Sequence, residues 1–306
     1  MPNWTETAPA ADLACPLGCE NGARRRVVDT VWEAPEAAVY RCDSCGIVFL
    51  DPIMSEGEER EFYEAVFAGY MKERGEAGNA RPEEHFEAFQ GEARRRLGNL
   101  KPRLRSDMEV LEIGSSTGFL LDAIGPHVAS VAGIEPGDLY RDYANARGIE
   151  THAVIEAVAG RQFDLLLAYY VVEHLRDPVG QLAGMYGMLR DGGKLAVEVP
   201  NVDDALVRYY QVDAFDRFYW QKAHYFNYSH RTMELVMRRA GFAEVETVPE
   251  QRYDISNHVH WMLTGKPGGK ERYTDVFDER LNAEYARCLR EHWYCDTVFA
   301  VATKRA

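Results

Sequence analysis

From residue 108 onward, short apolar runs alternate with segments that have a helical pattern. The runs with strand character are 109–113, 128–134, 163–170, 194–199, 243–248 and 296–303. Strands separated by helices predict a parallel sheet whose two faces are covered. The last two runs alternate in polarity and are rich in β-branched residues, so we expect them to be further strands of the same sheet.

Helical sequence is predicted before this pattern and inside its last third. The Glu-rich segment 55–104 is expected to be helical, because Ser55 followed by Glu58 fits a capping box at its start. A glycine-rich patch at 75–79 interrupts this segment. A later insertion is expected to carry an amphipathic helix over 277–289.

Composition limits the partners that the chain can bind. The 306 residues include 35 Lys+Arg and 49 Asp+Glu, which gives a formal net charge of −14 at pH 7. Nucleic acid binding draws its affinity from clustered cations, so we expect no nucleic-acid partner. The one basic stretch, 93–105, is interpreted as a solvated helix face.

The apolar runs also bear on location. None approaches the ~20 apolar residues that a membrane-spanning helix needs, so we expect no membrane partner. The amino-terminal residues 1–7 have neither a basic start nor an apolar stretch, and the expected compartment is the cytoplasm. The sequence leaves the oligomeric state open.

Four of the six cysteines form two close pairs, Cys15 with Cys19 and Cys42 with Cys45. Zn²⁺ prefers four soft ligands in a tetrahedron, and two short loops can each supply two thiolates. Four sulfurs leave no position for water, so we expect a structural zinc ion that folds a segment too short to bury its own core. A redox dithiol, or a set of unpaired thiols, would explain the same residues.

A glycine turn follows the first predicted strand of the sheet. Gly114 and Gly118 bound the turn, and Ser116 stands where the dinucleotide-binding motif has its middle glycine. Glu135 follows 21 residues after Gly114, at the end of the next strand, where a carboxylate can accept both hydroxyls of a ribose. This combination predicts a site for a cofactor that contains a nucleoside.

These segments resemble the class I S-adenosylmethionine (SAM)-dependent methyltransferase family. The resemblance is carried, in order, by 110–118, 133–136, 163–178 and 189–195. It implies an α/β, doubly wound, Rossmann-like and mostly parallel seven-stranded sheet, with SAM as the cofactor. It also assigns to the cofactor site Glu112, Gly114, Ser116, Gly118, Phe119, Glu135, Pro136 and Tyr169.

The cysteine-rich start, which ends in residues 42–52, is similar to the zinc-ribbon segment of methyltransferases from sugar, polysaccharide and natural-product pathways. The chain is therefore divided into a zinc-ribbon-like segment (1–52), a helical linker (53–105), a SAM-binding core (106–248), and an insertion with the last strand (249–306). The resemblance implies a small hydroxylated acceptor, such as a sugar or a nucleotide-linked sugar. The last segment is short for the extra domain of the deoxysugar C-methyltransferases, so we expect transfer to oxygen rather than to carbon or nitrogen.

Two histidines are candidate general bases for this transfer. His174 follows the fourth strand, where the family places residues that face the acceptor, and His224 lies within the aromatic-rich segment 209–228. A near-neutral pKa suits proton removal from a hydroxyl, although His174 could equally cap the turn after its strand. Tyr169 and Tyr170 could contact the acceptor or pack in the core.

Three other functions compete with this hypothesis. A nicotinamide-dependent enzyme acting on a nucleotide sugar is disfavoured by Ser116 and by the absence of a Tyr-x-x-x-Lys pair near the fourth strand. An RNA methyltransferase that grips RNA with its zinc ribbon is disfavoured by the negative charge. A non-catalytic module that keeps only the cofactor pocket stays open. No Asp/His cluster in the sequence suggests a catalytic metal.

Overall fold

Two β-sheets organise the residues that the computed structural model describes, which are 10, 13–29, 31, 33–63 and 81–305. The glycine patch at 75–79 and the amino-terminal residues 1–7 lie outside them. The strands are β1 (Arg24–Val28), β2 (Ala38–Cys42), β3 (Val48–Asp51), β4 (Glu109–Ile113), β5 (Ser130–Ile134), β6 (Glu150–His152), β7 (Phe163–Tyr169), β8 (Leu189–Pro200), β9 (Phe226–Asn227), β10 (Glu244–Glu250) and β11 (Thr297–Thr303).

The larger sheet has seven strands in the order β10-β11-β8-β7-β4-β5-β6. The strands from β6 to β8 pair in parallel, and β10 and β11 are antiparallel. The α/β class and the mostly parallel sheet are therefore confirmed. Strand β6 was not predicted, because three residues are too few to show a pattern. Residues 189–195, which carry part of the family resemblance, lie inside β8, where the pairing with β7 is irregular.

Helices cover both faces of this sheet. They are α1 (Glu56–Glu61), α2 (Pro82–Ala88), α3 (Gln90–Leu100), α4 (Phe119–Ile124), α5 (Asp138–Ala146), α6 (Pro178–Met188), α7 (Ala205–Arg208), α8 (Asp213–Tyr219), α9 (His230–Arg239), α10 (Ile255–Thr264) and α11 (Glu279–Glu291). Leu165 and Leu167 of β7 pack with α2, α3 and α4, whereas Leu166 and Ala168 pack with α6 and α9. This alternation along one strand explains why β7 is an almost continuous apolar run.

Two local predictions have different outcomes. The capping box is confirmed, because the Glu58 amide donates to Ser55 Oγ at 3.3 Å and the Ser55 amide donates to the Glu58 carboxylate at 2.7 Å. The solvated basic face is wrong for part of α3. Arg96 is 6% exposed, and the Arg95 guanidinium lies 2.6 Å from the buried carboxylate of Glu198. Ion pairing with carboxylates makes burial of these charges tolerable.

The smaller sheet is antiparallel, in the order β1-β2-β3-β9. Strands β1 to β3, together with the four clustered cysteines, are called the ribbon below. Its last strand, β9, comes from the chain after β8, so the two sheets are joined by residues that are far apart in sequence. None of the described helices is long and apolar enough to span a membrane.

Candidate active site and cysteine cluster

The glycine turn lies at the carboxyl end of β4. Gly114, Ser116 and Gly118 all have positive φ angles, of 74°, 51° and 74°. A side chain at Gly118 would place its Cβ 2.8 Å from Ile149 Cδ1. The left-handed conformation favours glycine there, and any side chain would also displace Ile149. The glycine turn therefore allows its backbone to approach closely a ligand that binds at the carboxyl edge of the sheet.

Glu135 is fixed beside this turn. It follows β5, and its carboxylate accepts the amide N–H of Ser116 and that of Gly137, each at 2.8 Å. Burial raises the pKa of Glu135, and the two amide hydrogen bonds oppose that shift. Pro136 lies next to it and is exposed. The structure thus brings together Glu135 and Ser116, which the sequence assigned to one cofactor.

Glu112 and Arg96 lie deeper, on the face of the sheet that α3 covers. Glu112 is 2% exposed, and its Oε2 has no hydrogen-bond partner among the described residues. Burial raises its pKa to about 8, with Arg96 opposing the shift. The Arg96 guanidinium lies 4.5 Å from the ring centroid of Tyr169 and 5.5 Å from that of Phe119. A buried carboxylate and a buried guanidinium could hold the charged amino-acid end of SAM.

His85 of α2 covers the glycine turn from above. Its Nδ1 lies 3.3 Å from Thr117 Oγ1, and its ring stacks on Phe89 with centroids 4.3 Å apart. The same ring lies 4.7 Å from that of Tyr140. Sequence reasoning missed both His85 and Arg96, because neither stands in a motif and their burial depends on tertiary contacts.

The two tyrosines at the end of β7 are packing residues in this structure. The Tyr169 ring is nearly parallel to that of Phe299, at 6.4 Å, and its hydroxyl is buried. Tyr170 has a φ of 57°. Its hydroxyl lies 2.9 Å from Thr297 Oγ1 and accepts a hydrogen bond from the Arg252 guanidinium. Both side chains thereby fix the end of β7 against the rest of the sheet.

His174 ends a short 3₁₀ turn after β7, and its protonation state follows from the contacts of Nδ1. This atom lies 2.8 Å from the carbonyl oxygen of Ala223 and 3.3 Å from the hydroxyl of Tyr63, which can accept as well as donate. Because a carbonyl oxygen only accepts, the proton must be on Nδ1, which leaves the lone pair on Nε2. Burial lowers the pKa of His174 to about 4, so the near-neutral pKa expected from the sequence is wrong for this residue. Its imidazole is neutral at pH 7.

His224 and Glu173 lie beside His174. The rings of the two histidines meet edge to face, with centroids 4.9 Å apart. Glu173 is fully buried, and neither of its oxygens is hydrogen-bonded to another described residue. Burial raises the pKa of Glu173 to about 8.

One donor atom from each of Glu173, His174 and His224 lies within 4.8 Å of the other two. The sequence showed no such cluster, since 49 residues separate the two histidines and their proximity depends on β9. Atoms at this separation could share a water molecule or a cation.

The aromatic-rich segment 209–228 packs largely against the insertion. Phe215 and Phe218 each lie 5.0 Å from Trp261 of α10, measured between ring centroids. Tyr209 is exposed, and Tyr219 is buried with a hydroxyl that has no hydrogen-bond partner among the described residues. Much of the aromatic-rich segment is therefore packed against α10 of the insertion, which explains these residues without a bound ligand.

The four clustered cysteines meet in one place. Their sulfur atoms all lie within 4.8 Å of one another, and those of Cys15 and Cys45 are 3.7 Å apart. A tetrahedral zinc site with Zn–S bonds of ≈ 2.3 Å has sulfur–sulfur separations of about 3.8 Å. Gly18 and Gly46, at φ angles of 73° and 77°, turn the two loops that carry the sulfurs. The three-residue spacing of the first pair is thus accommodated, and the donor set fits zinc.

Comparison with known proteins identifies the family to which the core is similar. Residues 85–247 match the family model described as "Methyltransferase domain". A SAM-dependent methyltransferase from Archaeoglobus fulgidus has the same fold, with a TM-score of 0.51 at 15% identity, covering 78% of this chain and 100% of that one.

Two curated relatives are similar over shorter stretches. The ubiquinone biosynthesis O-methyltransferase of Ruegeria pomeroyi is 33% identical over 112 residues, which are 34% of this chain and 44% of the relative. The tRNA U34 carboxymethyltransferase of Desulforapulum autotrophicum is 28% identical over 152 residues, which are 45% of this chain and 46% of the relative. The chain thus spans less than half the length of these relatives.

The raised pKa of Glu112 predicts a pH-dependent stability. A carboxyl that holds its proton more tightly when folded lowers the stability of the fold as pH rises from about 4.5 to about 8. Glu112→Gln removes this penalty. We expect its thermal midpoint without cofactor to exceed that of the unsubstituted chain by about 3 °C or more at pH 8, and to be no higher at pH 4.

Thermal unfolding of both proteins across this pH range checks the prediction. The matched control is Glu244→Gln, which changes an exposed carboxylate on β10. Parallel pH curves for Glu112→Gln and the unsubstituted chain would contradict it.

Proposed function

The chain belongs to the methyltransferase-domain family, and from that premise we propose that it transfers a methyl group from SAM to a hydroxyl oxygen of a small acceptor. The acceptor class that we favour is a sugar or a nucleotide-linked sugar. The observation that carries the proposal is the bond from His174 to the Ala223 carbonyl, which puts the lone pair of a neutral imidazole on Nε2, just after the carboxyl end of β7.

The cofactor residues are proposed from their chemistry. When bound, SAM would supply a methyl group on a sulfonium sulfur, which leaves as the neutral thioether of S-adenosylhomocysteine. Glu135, held by two amides, suits the ribose hydroxyls. Glu112 would accept from the cofactor's ammonium group, and Arg96 would pair with its carboxylate. Gly114 allows the backbone of the turn to approach the cofactor closely.

The chain's own contribution to the reaction is then alignment and proton removal. Alignment of an acceptor oxygen behind the methyl carbon supplies much of the acceleration, up to ≈ 7–11 kcal/mol in well-oriented systems. His174 Nε2 takes the hydroxyl proton as the new oxygen–carbon bond forms. His224, edge-on at 4.9 Å, is the second candidate for that proton.

Two observations support a small hydroxylated acceptor. The relative from Ruegeria pomeroyi is an O-methyltransferase by name, which favours oxygen as the receiving atom. The net charge of −14 opposes the polyanionic acceptor that the tRNA-modifying relative would suggest. The ribbon resembles that of sugar-modifying methyltransferases, which favours a sugar.

We expect S-adenosylhomocysteine, the demethylated product, to bind and NAD not to bind. Glu135→Ala should weaken product binding by about 10–100-fold, because it removes charge-assisted hydrogen bonds. Glu156→Ala, which removes an exposed carboxylate, is the control and should bind normally. Isothermal titration calorimetry measures all three proteins, and equal heats for NAD would refute the cofactor assignment.

His174→Gln should lower the rate of methyl transfer by about 10²–10⁴-fold with little change in product binding. His224→Gln tests the second candidate in the same assay, and His127→Gln, an exposed histidine, is the control. The acceptor panel contains nucleotide sugars, free sugars, phenols and tRNA, with the methylated atom identified by mass spectrometry. Full activity in both histidine variants would remove the base assignment, and methylation of tRNA alone would overturn the acceptor class.

We further propose that Cys15, Cys19, Cys42 and Cys45 bind one structural zinc ion. Elemental analysis should then find one zinc per chain. Cys45→Ser should lose most of the metal, whereas Cys288→Ser, which changes an exposed cysteine, should keep it. Equal zinc content in the two variants would contradict the assignment.

A further inference from the structure

Residues 223–228 connect the ribbon to the candidate base, and we call them the clamped segment. Their β9 portion pairs antiparallel with β3 of the ribbon. Next to these pairs, the Leu50 amide donates to the Tyr225 carbonyl at 2.9 Å. One edge of the clamped segment is therefore fixed by the ribbon alone.

The other contacts of the clamped segment are with the core. The Val202 amide, after β8, donates to the Tyr228 carbonyl at 2.8 Å. At the opposite end of the segment, the Ala223 carbonyl accepts the Nδ1 proton of His174. The segment thus lies between the ribbon and the base, and it supplies the acceptor that sets the base's tautomer.

A second connection joins the ribbon side to the same turn. Arg176, two residues after His174, donates to the Met54 carbonyl and to the Glu59 carboxylate. Its guanidinium also lies 5.4 Å from the ring centroid of Tyr225. The turn that carries His174 is therefore also held by Met54 and Glu59, which follow β3 of the ribbon closely in the chain.

The cysteine cluster lies at the base of β3. Cys42 is the last residue of β2, and Cys45 lies in the turn that leads into β3. The Cys42 amide donates to the Ile47 carbonyl at 3.0 Å, and the Gly46 amide donates to the Cys42 carbonyl at 2.8 Å. Thiolates held at one point within this hairpin would fix β3 relative to β2, and so would fix the edge to which β9 is bonded.

We propose that the ribbon is a positioning element for the active site: β3 holds the clamped segment so that the Ala223 carbonyl keeps His174 in the tautomer with Nε2 available. The catalytic consequence of this inference rests on the function proposed above. Its structural content, a single tautomer maintained by the ribbon, does not depend on which acceptor is methylated.

The physical reason is the weak intrinsic preference of imidazole for either tautomer. A hydrogen bond from one ring nitrogen decides which nitrogen keeps the lone pair, and it also fixes the ring's orientation. If the clamped segment shifts, Nδ1–H loses its carbonyl acceptor and keeps the Tyr63 hydroxyl at 3.3 Å. A hydroxyl can donate as well as accept, so it permits either tautomer, and the proton can then exchange to Nε2. Leu50 and Ala223 are then positioning residues, since they act on the reaction only through His174.

The test uses the full-length chain and removes one donor. Leu50→Pro deletes the N–H that bonds Tyr225 but keeps an apolar side chain in the strand. The control is Val27→Pro, at the bulge of β1 on the opposite edge of the same sheet. The primary measurement is the ¹⁵N chemical shift of the two His174 ring nitrogens, assigned with His174→Gln, which distinguishes a protonated from an unprotonated nitrogen.

We expect the unsubstituted chain and Val27→Pro to show one His174 tautomer, protonated at Nδ1. Leu50→Pro should show a mixture, with methyl transfer reduced by about 10–100-fold and affinity for S-adenosylhomocysteine changed less than twofold. A single, unchanged tautomer in Leu50→Pro that still binds S-adenosylhomocysteine would overturn the proposal.

Zinc removal provides a second measurement if Leu50→Pro fails to fold. Chelation of the unsubstituted chain should shift the His174 spectrum in the same direction while S-adenosylhomocysteine still binds, and added zinc should restore it. An unaltered His174 spectrum in the metal-free chain would also overturn the proposal. If no acceptor is methylated at all, the proposed function fails, whereas the two spectroscopic outcomes still decide the role of the ribbon.

Discussion

The parallel pairing of β4 with β5 and β7 is the constraint on which the candidate site depends. Ile113 at the end of β4 lies opposite Ile134 on one side and Ala168 on the other. The chain therefore leaves three neighbouring strands at the same edge, where the glycine turn, Glu135 and the His174 turn begin. A shift of register by one residue would reverse the faces of β4 and remove Glu112 from the side that Arg96 covers.

Signals carried by short sequence motifs could be predicted from the sequence. The glycine turn and Glu135 are of this kind, as are the two cysteine pairs, and the structure brings the members of each set together. Arg96 and Glu173 were not legible, because a buried charge on a helix and a carboxylate beside a histidine look like solvated residues until tertiary packing covers them. The same limit applies to β6, whose three residues obtain their conformation from pairing with β5.

Burial without full ion pairing leaves several polar groups of the site uncharged at neutral pH. It raises the pKa values of Glu112 and Glu173 to about 8 and lowers that of His174 to about 4. Glu198, by contrast, lies against the Arg95 guanidinium. A cationic ligand placed beside the neutral carboxyls favours their ionised forms, so its binding is linked to release of protons.

The two-residue strand β9 has a consequence for the order in which the protein acquires its structure during translation. The three strands of the ribbon leave the ribosome before β9, which completes their sheet and begins 175 positions after Asp51. Until then β3 presents an open edge to the cell, with unpaired amides that another chain could use. Closing that edge requires a contact between residues far apart in sequence, and such contacts form slowly. The exposed edge of β3 is therefore open to wrong pairing in the nascent chain until most of the core has been synthesised.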